Sequence, residues 1–367
     1  WCPSRSRAQL HPIAVSNNGT TSALPQLSVP RLSVLDQSPV SAGSTPADAL
    51  ANSVSLARHV DALGYDRLWV SEHHAMATLA SSAPEILLAR MGGETTRIRL
   101  GSGGIMLPHY APLKVAEVFS TLAAFYPGRI DLGLGRAPGG GPIESAALRR
   151  VRTGSQPDDF PEQLSELLAF LHGGFPASHP FSRIQLAPQP PEAPQVWLLG
   201  SSLWSAMAAA DYGLPYAFAH FFSGESTREA VELYKHRFQP GETASGSILK
   251  PHTMAAVGVI CASTQAEADY LLQSVRLLQL RIRQNDRRPI AAPDEAAGEL
   301  LQFGPQAPDR GEFPRVFAGP PEVVRERLLD MAARLQLDEL MINTITWDHE
   351  ARLRSYTLLA QAFALDE

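Results

Sequence analysis

The sequence predicts an α/β protein, a (β/α)8 TIM barrel with insertions after strands 4 and 7. From Arg31 onward, short β-rich apolar runs alternate with stretches of helical period, the pattern of βα units on a parallel sheet. Eight such units fit into residues 31–367 without a linker, so that stretch reads as one domain behind a tail at 1–30. No GxGxxG follows the first strand, which argues against a doubly wound dinucleotide fold.

Each unit has its own signals. The first strand is Arg31–Asp36. Thr45 and Pro46 then supply an N-cap and a first helical proline, and Leu50, Val54, Ala57, Val60 and Leu63 recur at spacings of three and four until Gly64 ends the helix. Strand two is Arg67–His73, with a helix opening at Pro84-Glu85. Strand three is Ile98–Leu107, with a helix opening at Pro112, and strand four is Arg129–Arg136. Residues 137–194 form the first insertion, rich in Pro and Gly around one helix at Asp159–His172. Strand five, Gln195–Gly200, leads into a helix over Leu203–Tyr212, and strand six, Pro215–Phe221, into a helix over Thr227–Phe238. A polar break at Gly241–Ser247 precedes strand seven, His252–Cys261, and the second insertion spans 263–315. A helix after Gly319-Pro-Pro-Glu322 and the run Glu339–Asn343 complete the eighth unit.

Composition narrows the function. Lys and Arg number 31 against 37 Asp and Glu, a net charge of −6, so the positive surplus of a nucleic-acid or anionic-membrane binder is missing. A hydrophobic fraction of 44% supports a large core rather than disorder. No stretch approaches the ~20 apolar residues that cross a bilayer, so no membrane partner is expected. Two cysteines, Cys2 and Cys261, suit a reducing compartment and a cytoplasmic location. Residues 1–30 have no sustained apolar period, and Ile13-Ala-Val15 is too short for a signal-peptide core, so they read as a flexible tail.

Active sites of such barrels lie at the carboxyl ends of the strands. Here those ends hold Asp36, Glu72-His73-His74, Gly103-Gly104, Arg136, Gly200-Ser201-Ser202, His220 and Asn343. Consecutive strand residues face opposite sides, so only one of His73 and His74 points into the barrel. A dinuclear metal hydrolase would need several inward His and Asp ligands, and that set is incomplete, so no metal site is expected. Glycine at 101–104 inside an apolar strand marks either close approach of backbone to a flat ligand or a tight bend at a barrel corner. Arg136, beside the flexible Gly139-Gly-Gly141, is either a phosphate-binding guanidinium or a solvated loop residue. Gly200-Ser201-Ser202 closes a strand and opens a helix, which suits an anion at the helix start or a plain serine N-cap.

Several segments, in this order, resemble the bacterial luciferase-like flavin monooxygenases. They are Ser71-Glu-His-His74, Ala80-Ser-Ser-Ala-Pro84, Arg99-Leu-Gly-Ser-Gly-Gly-Ile-Met-Leu-Pro108, Lys114-Val-Ala-Glu117 and Tyr126-Pro-Gly-Arg-Ile-Asp-Leu-Gly-Leu-Gly-Arg136. Gly319-Pro-Pro-Glu-Val323 resembles that family's helix start before its last strand.

The resemblance implies a barrel that binds reduced FMN, usually delivered by a separate NAD(P)H:flavin reductase, and reacts it with O2 to a flavin 4a-hydroperoxide that oxygenates a small organic substrate. It places His73 as the active-site histidine and Gly103-Gly104 as a pair with a non-proline cis peptide against the isoalloxazine. Arg136 becomes a phosphate-side arginine, and Gly200, Ser201 and Ser202 the phosphate-binding turn. The chain has Gly135 where the luciferases carry a reactive cysteine, and Gly200 where they carry a glutamate, so it falls in the non-luminescent oxidoreductase branch and light emission is not expected.

Some relatives use a deazaflavin for hydride transfer, and a few bind flavin without turnover; both stand as alternatives. The family often forms homodimers. His73, with an ordinary pKa near ~6.5, is expected to exchange protons near neutrality, oriented by Glu72 or Asp36. The insertions are expected to form the lid and pocket walls, and carry no motif that identifies the substrate.

Overall fold

The strands in chain order are β1 (Arg31–Asp36), β2 (Arg67–Val70), β3 (Arg99–Met106), β4 (Ile130–Gly135), β5 (Gln195–Gly200), β6 (Tyr216–Ala219), β7 (Thr253–Cys261), β8 (Val316–Gly319) and β9 (Glu339–Asn343). In the computed structural model, which describes residues 29–148, 158–240, 248–304 and 311–365, all of them pair in parallel. β1 to β7 follow one another around the barrel, and β9 closes it by pairing with both β7 and β1. The expected tail, apart from Val29 and Pro30, and the polar break at 241–247 lie outside the described residues.

The barrel is the predicted fold, with one strand more than the eight expected. β8 pairs with the far half of β7, from Gly258 to Cys261, and β9 with the stretch from Met254 to Gly258, so the two partners meet at Gly258. A side chain at Gly258 would press on Val316 and on the Arg315 carbonyl, so glycine lets both neighbours reach β7 there.

The helices packed outside are α1 (Pro46–Ala62), α2 (Pro84–Gly92), α3 (Pro112–Phe125), α4 (Pro142–Leu148), α5 (Phe160–His172), α6 (Leu203–Asp211), α7 (Thr227–Arg237), α8 (Gln265–Arg283), α9 (Pro293–Gln302), α10 (Pro321–Leu335) and α11 (His349–Phe363). α1 shows why they form: Thr45 and Asp48 make a reciprocal capping box, Pro46 fits the first turn, and Leu56, Ala57 and Val60 are buried on one face. Most of the second insertion is helical: the 19 residues of α8 bury Ala268, Leu271, Val275 and Leu278 in a core shared with Ile260 of β7 and Ala318 of β8.

Inside the barrel the side chains stack in layers. At the amino end, Arg67 bridges Asp131 at 2.8 Å and Glu339 at 2.7 Å, while Arg99 and His252 supply the outer contacts of the two carboxylates. Above that charged layer lie Leu35, Trp69, Trp197, Met254 and Met341, with the two indoles edge to face at 5.2 Å. The barrel is therefore plugged, and open chemistry is confined to the carboxyl end. Gly101 belongs to this plug: a Cβ there would sit 2.6 Å from the Trp69 ring and 2.7 Å from the Asp131 Cβ. Gly101→Ala should destabilise the fold by about 1–3 kcal/mol through overpacking, read as a lower denaturant midpoint at unchanged m-value.

Candidate active site

β2 ends at Val70, three residues before the predicted end, so Ser71, Glu72 and His73 lie on the loop that leaves the strand. The expected alternation persists in their contacts. His73 turns to Ser71, with Nδ1 at 3.0 Å from the serine Oγ, whereas His74 turns to Glu72, with Nε2 at 2.6 Å from Oε1. The buried Glu72 also accepts from the Tyr110 hydroxyl at 2.7 Å and from the Met106 amide at 2.9 Å, tying the loop after β2 to the end of β3.

Glu72 is thus committed to His74, and Asp36 accepts from Arg352 at 2.9 Å and from the Ser38 amide at 2.9 Å. Neither carboxylate orients His73; the Ser71 hydroxyl does. Burial, with His74 next to it, pushes His73 down to about 4, so the ring is neutral across the range where an unperturbed histidine titrates.

The Gly103–Gly104 peptide is cis. β3 shifts register against β4 between Ser102 and Ile105, so the glycine pair sits in a bulge. A Cβ at Gly103 would meet Leu35 and Trp69, and one at Gly104 the Gly133 carbonyl, so packing against β1, β2 and β4 already requires small residues here.

Arg136 leaves β4 and the turn Gly200-Ser201-Ser202 leaves β5, two adjacent strands. The structure brings them together through a residue the sequence did not single out: the Arg136 guanidinium lies 3.9 Å over the ring of Trp204, in the first turn of α6. Ser202 occupies the N-cap position of α6 with extended backbone, yet its side chain makes no capping bond. The Ser202 hydroxyl thus leaves the first-turn amides uncapped, beside a guanidinium and at the positive end of a helix. Below the turn, the Ser205 hydroxyl donates to the Ser202 carbonyl at 2.7 Å and fills the space a side chain at Gly200 would need. Arg136 also pairs with Asp158 at 2.9 Å, but both are exposed, and such pairs contribute only about 0–1 kcal/mol.

The other strand-end residues are structural. His220 is buried between Thr227 and the Pro314 carbonyl, and Asn343 donates to the Leu35 carbonyl.

Over the mouth, the insertions meet. Arg287, between α8 and α9, pairs with Glu144 of α4 at 2.7 Å and donates to the Ala75 carbonyl at 2.9 Å. Ile290 exchanges backbone bonds with the loop after β1. Of the residues missed from sequence, Ser71 had a signal, its i−2 spacing from His73; Trp204 and Arg287 had none.

The sequence pattern of the luciferase-like monooxygenase family matches residues 31–338. YwcH, an uncharacterized protein of Bacillus subtilis (strain 168), is 44% identical over 339 residues, covering 91% of this chain and 99% of its own. A luciferase-like monooxygenase of Escherichia coli (strain K12) is 37% identical, covering 89% and 95%. The crystal structure of apo-MsnO8 superposes with a TM-score of 0.84 at 44% identity, covering 92% of this chain and 99% of that one. Barrel, cis Gly103–Gly104 bulge and sequence agree: the chain belongs to the luciferase-like monooxygenase family.

Proposed function

We propose that this protein is a flavin-dependent monooxygenase that uses reduced FMN and O2 to oxygenate a small organic substrate, the reduced flavin coming from a separate reductase. The observation that carries the reading is the uncapped start of α6 beside Arg136: the amides, the Ser201 and Ser202 hydroxyls and the guanidinium suit the dianionic phosphate of FMN. The isoalloxazine would rest by the Gly103–Gly104 bulge.

Bound there, the flavin supplies the electrons that activate O2; the chain supplies the rest. Arg136 and the α6 amides hold the phosphate. His73, neutral, accepts or returns a proton at the barrel mouth. The loops joined through Arg287, Glu144 and Ala75 limit the access of water.

Arg136→Ala tests the anchor. Loss of one charge-assisted contact should weaken reduced FMN about tenfold to a hundredfold, while riboflavin, which lacks the phosphate, binds as before. Equal effects on both ligands, or none on FMN, would remove Arg136 from the site. A deazaflavin coenzyme also carries phosphate, so the alternative of hydride transfer is separated by the isoalloxazine preference and not by this variant.

A further inference from the structure

The bonds around His73 determine where its ring proton sits. His73 Nδ1 lies 3.0 Å from Ser71 Oγ, Ser71 Oγ lies 3.2 Å from Ser81 Oγ, and Ser81 Oγ lies 3.1 Å from the Gln37 carbonyl oxygen. Three hydrogen bonds in a row need three hydrogens. The carbonyl has none to give, and each hydroxyl has one. The third must come from the imidazole.

Direction follows group by group. The Ser81 hydroxyl donates to Gln37, because a carbonyl only accepts. Its hydrogen spent, Ser81 accepts from Ser71. Ser71, its own hydrogen spent in turn, accepts from Nδ1–H of His73. In the opposite tautomer Ser71 would donate to Nδ1, and the one Ser81 hydrogen could then make either the bond to Ser71 or the bond to Gln37 but not both, leaving one of them unmade among buried groups: Ser71 and Ser81 are 2% and 0% exposed. The His73 amide also donates to the Ser81 carbonyl at 2.9 Å, so the same residue holds the ring's backbone in place.

We propose that Ser71 and Ser81 are positioning residues that fix the proton of His73 on Nδ1 and leave Nε2 as a lone-pair acceptor. The consequence is chemical: a neutral ring in this tautomer receives a proton at Nε2 and does not begin as a donor there. Burial, which keeps the ring neutral, acts in the same direction. The relevance to turnover rests on the monooxygenase reading, in which His73 moves the proton; the tautomer does not.

Two-bond proton–nitrogen correlation spectra of the full chain, labelled with 15N in the histidine rings, test this. The His73 signals are those missing in His73→Gln. In the wild type the unprotonated nitrogen should correlate with both ring carbon protons, which identifies it as Nε2. Ser71→Ala and Ser81→Ala should move the two ring nitrogens toward each other as the tautomers mix, and Ser71→Thr, which restores a hydroxyl, should return the wild-type pattern. A wild-type ring protonated at Nε2, or the same tautomer in both alanine variants, overturns the proposal. The wild-type spectrum decides even if a variant fails to fold. No spectrum needs flavin, so failure of the cofactor reading leaves this result standing, and the reverse also holds.

Discussion

His73→Ala should bind reduced FMN about as well as the parent and lose turnover by about 10²–10⁴-fold, the usual contribution of a positioned acid–base group. The expectation follows from where the ring sits: partly buried at the barrel mouth, anchored by Ser71 through one nitrogen, and on a different strand end from the phosphate anchor at Arg136. Its pKa near 4 adds a sign. The neutral form dominates at every pH above that value, so no loss of activity between about pH 8 and pH 5 should trace to protonation of His73. Steady-state rates of substrate oxygenation, with flavin affinity measured separately, check both statements. Unchanged coupled oxidation in the alanine variant would remove His73 from the mechanism.

Arg67→Met should have the largest effect on stability, about 3–5 kcal/mol, because it leaves buried carboxylates without their shared guanidinium. Arg67 is 3% exposed, and Asp131 and Glu339 are fully enclosed. Arg99 still reaches Asp131, so the greater exposure to loss falls on Glu339, left with His252 and Ser33.

The pH dependence separates this from a packing defect. Burial works to raise Glu339, but Arg67, then the bonds from His252 and Ser33, overcome it and hold the group below its ordinary pKa. In the parent that contribution is present above the ordinary carboxylate range and is lost as pH falls through the lowered folded value. Without Arg67 burial prevails and the folded value rises, so stability is lost as pH rises through it. The deficit of Arg67→Met should therefore be largest near neutrality and shrink in acid, measured by urea midpoints across pH; a deficit independent of pH would make the loss one of packing alone.

Local chemistry made most of the barrel legible. Thr45-Pro46, Pro84 and Pro112 marked helix starts, and β5 and β9 were bounded as read because an apolar run met Gly200 at one and Asn343 at the other. β2 was overextended because Ser71-Glu-His continues a plausible strand pattern after the ladder to β3 has ended at Val70. β8 was missed because its 4 residues follow Pro314-Arg315, and only the partner, the far half of β7, makes them a strand. α8 was hidden inside a presumed insertion although its apolar residues keep a helical period.

At the site, strand-end position pointed to His73, Gly103, Gly104 and Arg136. Their partners were not legible, because they arrive from loops whose paths no local spacing sets: Ser81 for Ser71, Arg352 for Asp36, Trp204 for Arg136. The cost of mistaking those partners was specific. A histidine expected to pair with a carboxylate and titrate near neutrality pairs instead with a hydroxyl and stays neutral.

Anaerobic titration of the full chain with reduced FMN, oxidised FMN and a deazaflavin, followed by mixing each complex with O2, tests the central claim most directly. Reduced FMN should bind most tightly, and its oxidation on the protein should differ in rate from that of free flavin. Binding of the deazaflavin with no binding of reduced FMN would contradict it and assign the barrel to hydride transfer.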